Sequence, residues 1–158
     1  MKTPFLPTLI GSGFGSGFSP FAPGTAGALL ATLVWFALAQ LLAPDVLWWS
    51  TAVLVAVFYL AGVWAAERLQ PHWGKDPSRV VVDEMVGVWI ALLGAPPGHL
   101  WYGIGAFALF RLFDIVKPFG IRRMEQLPGG VGVMMDDVLA GVYSSILIIA
   151  VRWLMVMV

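Results

Sequence analysis

The sequence predicts an all-α fold, a polytopic integral membrane helical bundle with about five membrane segments, one of them short. Three observations carry this expectation. Hydrophobic residues make up 59% of the 158 positions and charged residues only 11%, with a mean hydropathy of +0.87, so too few charges remain to coat a water-facing surface. The apolar residues gather into runs near membrane-spanning length. Proline, glycine and charged residues collect in the connections between those runs.

The chain reads as one membrane-embedded domain over 1-158, led by a Gly/Pro-rich entry segment at about 4-24. Pro4, Pro7 and a glycine run interrupt the apolar stretch after Lys2, which makes it a poor signal peptide. Within the entry segment, Gly11 to Phe18 repeats a Gly-Ser-Gly-Phe unit. It has neither dinucleotide-fingerprint spacing nor the lysine of a nucleotide P-loop. Its backbone amides, or the N-terminus of the first span with Thr25 as cap, are candidates to bind an anion; the competing reading is a flexible or re-entrant connector.

Thr25 to Ala43 is the first span, close to the ~20 residues that cross a hydrocarbon core. After Pro44-Asp45, Val46 to Ala66 is the second, followed by a polar stretch from Glu67 to Arg79. Val80 to Leu93 is a short third run, at roughly 21 Å of helix not long enough to cross alone, and is expected inside the bundle. Gly94 to Gly98 breaks the chain, and His99 to Val116 is the fourth span. Lys117 to Gly132 reads as a polar loop, and Val133 to Val158 as the fifth span. Gly87, Gly141 and Ser145 are read as helix-packing contacts, and the tryptophans as interfacial anchors or packing.

Basic residues orient the bundle. Lys2, then Arg68, Lys75 and Arg79, then Lys117, Arg122 and Arg123 mark the N-terminus and the two long loops, whereas the other two connections hold no Lys or Arg. The expected arrangement is multi-pass in a bacterial inner membrane, with the N-terminus and those loops cytoplasmic and the C-terminus outside. A zero net charge argues against nucleic acid as a partner. The absence of cysteine and the wide separation of His72 and His99 exclude thiolate zinc sites and disfavour histidine-based ones. Oligomeric state is not legible.

The acids converge on the same side. Asp83 and Glu84 open the third run, Asp114 closes the fourth, Asp136 and Asp137 open the fifth, and Glu67 ends the second. Asp83, Glu84, Asp114, Asp136 and Asp137 sit slightly inside apolar runs, where gathered charge is unfavourable unless something neutralises it. Arg111 and Lys117 leave a formal excess of three negative charges over these five acids, which suits magnesium, or manganese in its place, bound by oxygen ligands. These five are the candidate metal-binding and catalytic residues. The competing reading, acids marking helix N-termini, fails for Asp114 at a C-terminal end. Arg111, Asp114 and Lys117 share one helix face at i, i+3 and i+6. They read either as an ion-pair ladder or as a metal-binding acid with Arg111 and Lys117 as phosphate-binding groups. Thr25 joins the phosphate-binding candidates.

Four co-linear stretches resemble the phosphatidylglycerophosphatase A family of bacterial lipid phosphatases. They are Gly15 to Pro20 leading into Pro23 to Gly27; Val82 to Gly87; Phe110 to Pro118; and Gly129 to Asp137 ending at Ala140-Gly141. One departure is Gly120, where relatives often carry proline. The resemblance implies magnesium-dependent hydrolysis of phosphatidylglycerophosphate to phosphatidylglycerol and phosphate, with membrane lipid as substrate and surroundings. The rival class is a small cation or proton transporter, which acids clustered at one end and an outer half without charged relays disfavour. A non-catalytic lipid-binding subunit is the third reading. Metal-activated water and an attacking aspartate that forms a phospho-enzyme both remain open as mechanisms.

Overall fold

A computed structural model describes residues 3–75 and 77–157; Lys2, Asp76 and Val158 lie outside the described residues. Seven α-helices and no strand occur among the described residues: α1 (Phe5–Gly11), α2 (Pro23–Leu41), α3 (Pro44–Trp73), α4 (Val82–Leu92), α5 (Leu100–Val116), α6 (Ile121–Met124) and α7 (Gly129–Met157), with a 3₁₀ turn at Ser16–Phe18. The all-helical expectation is met. Three helices, α2, α3 and α7, are long and apolar enough to cross a membrane, so the chain is a membrane protein.

The short third run becomes α4, whose 11 residues span only about 16 Å. It is the centre of the bundle, packed against α2, α3, α5 and α7, and all its residues except Glu84 and Ile90 are buried. Trp89 anchors it, with the indole Nε1 donating to the Ala31 carbonyl on α2 at 3.0 Å and the ring meeting Phe58 of α3 edge-on. Small residues let the backbones close in. A Cβ on Gly87 would strike the Phe110 ring and the Asp137 carbonyl, one on Gly141 the Gly87 carbonyl, and one on Gly94 the Ser145 backbone. Buried hydroxyls stay satisfied within their own helices: Thr32, Thr51 and Ser144 each donate to the carbonyl four residues back.

The largest differences from the sequence reading lie in the two long polar connections. The polar stretch after Ala66 does not begin as a loop, because α3 runs on to Trp73. Glu67, Arg68 and Gln70 are good helix formers, and Leu69 among them is fully buried. The Lys117 to Gly132 connection contains α6, and α7 begins at Gly129, inside the expected loop. The glycines there serve close approach, since a Cβ on Gly130 would overlap the Val63 carbonyl of α3 and one on Gly132 the Leu127 carbonyl.

The entry segment is folded. The Val81 amide donates to the Gly11 carbonyl at 2.8 Å, and the missing Cβ of Gly17 leaves room for the Arg79 carbonyl. Its glycines therefore seat it on the α3–α4 connection. Gly120 takes φ +88 at the start of α6, a backbone conformation that the fixed φ of proline forbids. The end of the bundle at the C-terminus of α4 is not free of charge, because Arg152 of α7 donates to the Gly94 carbonyl at 2.9 Å there. A cation there complements the helix end.

Candidate active site

The cluster assembles where the ends of α2, α4 and α5 meet the flank of α7. The first turn of α4 presents Asp83 and Glu84, and the last turns of α5 present Arg111 and Asp114. Two turns inside α7 lie Asp136 and Asp137, and the N-terminus of α2 closes the remaining side, where a Cβ on Gly24 would overlap Glu84 Oε1 and lie 3.3 Å from the Arg111 guanidinium. Glycine at position 24 is thus required for α2 to approach these charges.

Oxygens of Asp83, Glu84 and Asp137 lie within 4.8 Å of one another, a span that cation–oxygen distances of about 2.0–2.6 Å can close. Asp83 Oδ1, Glu84 Oε2 and Asp136 Oδ1 are buried without any hydrogen-bond partner. Unpaired carboxylate oxygens away from water are costly, and a divalent cation would satisfy them. The residues present fit an oxygen-coordinated metal.

The cations are divided between the acids. Arg111 pairs with Asp114 on its own helix and reaches Glu84 Oε1 of α4 at 3.9 Å, while its buried Nε has no partner. Lys117, just past α5 in a left-handed conformation, turns away from Asp114. Its Nζ lies 2.7 Å from Asp136 Oδ2 and 2.5 Å from Glu125 Oε1. The Arg111–Asp114 rung of the expected ladder is therefore present, while Lys117 pairs across to α7 and Arg111 also reaches α4. Burial disfavours the Lys117 ammonium, but its hydrogen bonds to Asp136 and Glu125 outweigh burial and hold its pKa above the ordinary lysine range. It stays protonated throughout the physiological range.

All five predicted acids, with Arg111 and Lys117, come together here. The capping reading explains Asp83 and Glu84 only, because no acid lies in the first turn of α7 and the dipole effect fades within one turn. Glu67 is exposed and faces Gly129, outside the cluster. Thr25 is not the helix cap; α2 starts at Pro23, with Ala22 as cap, because proline's fixed φ suits the first helical position. The Gly-Ser-Gly-Phe loop offers no anion nest, since the amides of Gly13, Phe14, Gly15, Ser16, Gly17 and Phe18 all donate within the segment. The first-turn amides of α2, at Gly24 and Thr25, have no intrahelical acceptor, and Gly24 stands beside Arg111. Glu125 is a partner that sequence reasoning missed. It lies in a connection with no apolar pattern, and only the left-handed turn at Lys117 brings the two together.

Apolar helices enclosing a carboxylate cluster beside a guanidinium and an ammonium define a membrane protein with a buried, charged polar site. The chain belongs to the phosphatidylglycerophosphatase A family, whose model it matches over residues 9–152. A protein of Bacteroides thetaiotaomicron, provisionally named a phosphatidylinositol-3-phosphatase, is 68% identical over 97% of this chain and 98% of its own. The phosphatidylglycerophosphatase A proteins of Haemophilus influenzae and Escherichia coli K12 are 39% and 35% identical, over 93% and 87% of this chain and 89% and 78% of theirs. No solved structure matches the chain.

Proposed function

We propose that this phosphatase is a magnesium-dependent lipid phosphomonoesterase that converts phosphatidylglycerophosphate to phosphatidylglycerol and phosphate at the cytoplasmic face of a bacterial inner membrane. The observation that carries the reading is the set of unpartnered buried carboxylate oxygens of Asp83, Glu84 and Asp136, with Glu84 packed against Arg111 and the start of α2. Asp83, Glu84 and Asp137 would hold the cation, with Asp136 Oδ1 and Asp114 beside them. Bound there, magnesium would neutralise the phosphate and lower the pKa of a bound water.

The chain's own residues supply the rest. Arg111, held in place by Asp114, presents its remaining N–H groups to the phosphoryl oxygens, and the open amides of Gly24 and Thr25 add donors at a helix N-terminus. Lys117 adds a second cation for the charge of the transferring group. Asp136, whose Oδ1 has no partner although its Oδ2 is paired with Lys117, would accept a proton from the attacking water as the bond from phosphorus to the lipid oxygen breaks, and the departing lipid oxygen would take up a proton from Asp136 or solvent to leave as the alcohol.

The headgroup is decided by assay. Purified protein in mixed micelles is offered phosphatidylglycerophosphate, phosphatidylinositol 3-phosphate, phosphatidic acid and glycerol 3-phosphate, with magnesium or with a chelator. Phosphate release should be fastest from phosphatidylglycerophosphate, stop on chelation and return with magnesium. Faster release from phosphatidylinositol 3-phosphate would move the substrate to the class named for the Bacteroides relative. Turnover unaffected by chelation would remove the metal.

A further inference from the structure

The proposed phosphate-binding role leaves Lys117 with an unexplained partner. An ammonium has three donors, and two of them are engaged in the structure, by Asp136 and by Glu125. The two partners differ in kind. Asp136 sits on α7, buried against the bundle, whereas the Glu125 side chain is 43% exposed and follows α6, a helix of only four residues.

We propose that Glu125 is a stand-in for the substrate's phosphoryl group, a carboxylate that pairs with the Lys117 ammonium and is displaced when a phosphate binds there. The inference rests on the phosphatase reading above and adds a specificity-determining residue to it. Asp136 fixes where the ammonium sits, and Glu125 occupies the direction that a ligand can claim. An exposed ion pair contributes only about 0–1 kcal/mol, so a phosphate dianion, with more charge and three acceptor oxygens, wins the exchange. Glu125 can swing into solvent, because its side chain is 43% exposed and borders a small surface cleft that Lys75, Gly129, Gly132 and Asp136 also line. Lys75, on the rim, offers the displaced carboxylate another cation.

The competition is read with inorganic phosphate as an inhibitor of the full-length protein in mixed micelles with magnesium. Glu125→Gln removes the competing charge but keeps the side-chain length, so the inhibition constant for phosphate and KM should both fall by about two- to fivefold, the equivalent of an exposed pair. In a Lys117→Ala background the same change should move neither. A purely structural role for Glu125 makes the opposite prediction, since Lys117 would lose its position and both constants would rise. An unchanged or raised phosphate constant in Glu125→Gln, or an equal fall without Lys117, overturns the proposal. Melting temperature is measured on each preparation. If Glu125→Gln does not fold, Glu125→Asp, with the carboxylate pulled back, should lower the constant by a smaller factor, and no fall there also overturns it. Wild-type protein that releases no phosphate from any lipid phosphomonoester would defeat the phosphatase reading instead, a result distinct from active protein with an unmoved constant.

Discussion

At the scale of single residues, the cluster separates by what each acid touches. Asp83 and Glu84 have oxygens with no protein partner, whereas Asp114 is committed to Arg111 and Asp136 shares one oxygen with Lys117. Replacing Asp83, Asp114, Asp136 or Asp137 by Asn should each lower turnover at least tenfold, about 1.4 kcal/mol or more in the barrier, without loss of membrane insertion. Normal turnover in two of the four would dissolve the shared site. Asp45 lies at the start of α3, far along the chain from these acids, and Asp45→Asn should be nearly silent. Arg111→Lys is the sharper test. Lysine keeps the charge and can still pair with Asp114, but it cannot present a planar fork to a phosphoryl group. Turnover should drop well beyond the ~0.2–0.5 kcal/mol that an i,i+3 pair contributes, with the melting temperature little changed; normal turnover would leave the phosphate charge to other groups.

At the scale of elements, the sequence conveyed which runs are helical better than where they start. Apolar periodicity marks the middle of α7 but not its first turns, because glycine has low helix propensity and the run Gly129-Gly130-Val131-Gly132 reads as a turn. What makes those residues helical is the α3 backbone beside Gly130, a tertiary fact absent from local pattern. The same gap hid the extension of α3 and the pairing of Lys117 with Glu125. The acids themselves were legible because charge inside an apolar run is conspicuous at any boundary. Packing glycines were legible too, and they yield a prediction. Gly87 and Gly141 bring α4 and α7 into backbone contact directly beneath Asp137. Gly141→Val would force the two helices apart, at about 1–3 kcal/mol for overpacking. Its melting temperature in detergent should fall, and activity should fall with it because Asp83 and Glu84 would separate from Asp137. A variant that melts normally yet is inactive would show that the spacing matters to chemistry alone.

At the scale of the whole molecule, the open question is which side of the membrane the cluster faces. The bundle puts the ends of α3 and α5 and the starts of α4 and α7 together, so Arg68 in the last turns of α3 and the connections carrying Lys75, Arg79, Lys117, Arg122 and Arg123 share one face with the acids. Arg152 is the exception, and it does not weaken the bias, because its guanidinium is spent on the Gly94 carbonyl and not displayed to solvent on a connecting loop. Positive charge in short connections is retained on the cytoplasmic side during insertion, so the phosphate chemistry should take place there. Cysteines introduced at Lys75 and Arg123, both exposed in a chain with no cysteine of its own, make this measurable. In intact cells neither should react with a membrane-impermeant thiol reagent, and in inverted vesicles both should. Labelling of either position in intact cells would invert the bundle and require the lipid phosphate to be presented from the outer leaflet. Opposite behaviour of the two positions would be worse for the fold itself, since α4 and α5 between them would then cross the membrane an odd number of times and the helix ends that build the cluster could not lie together.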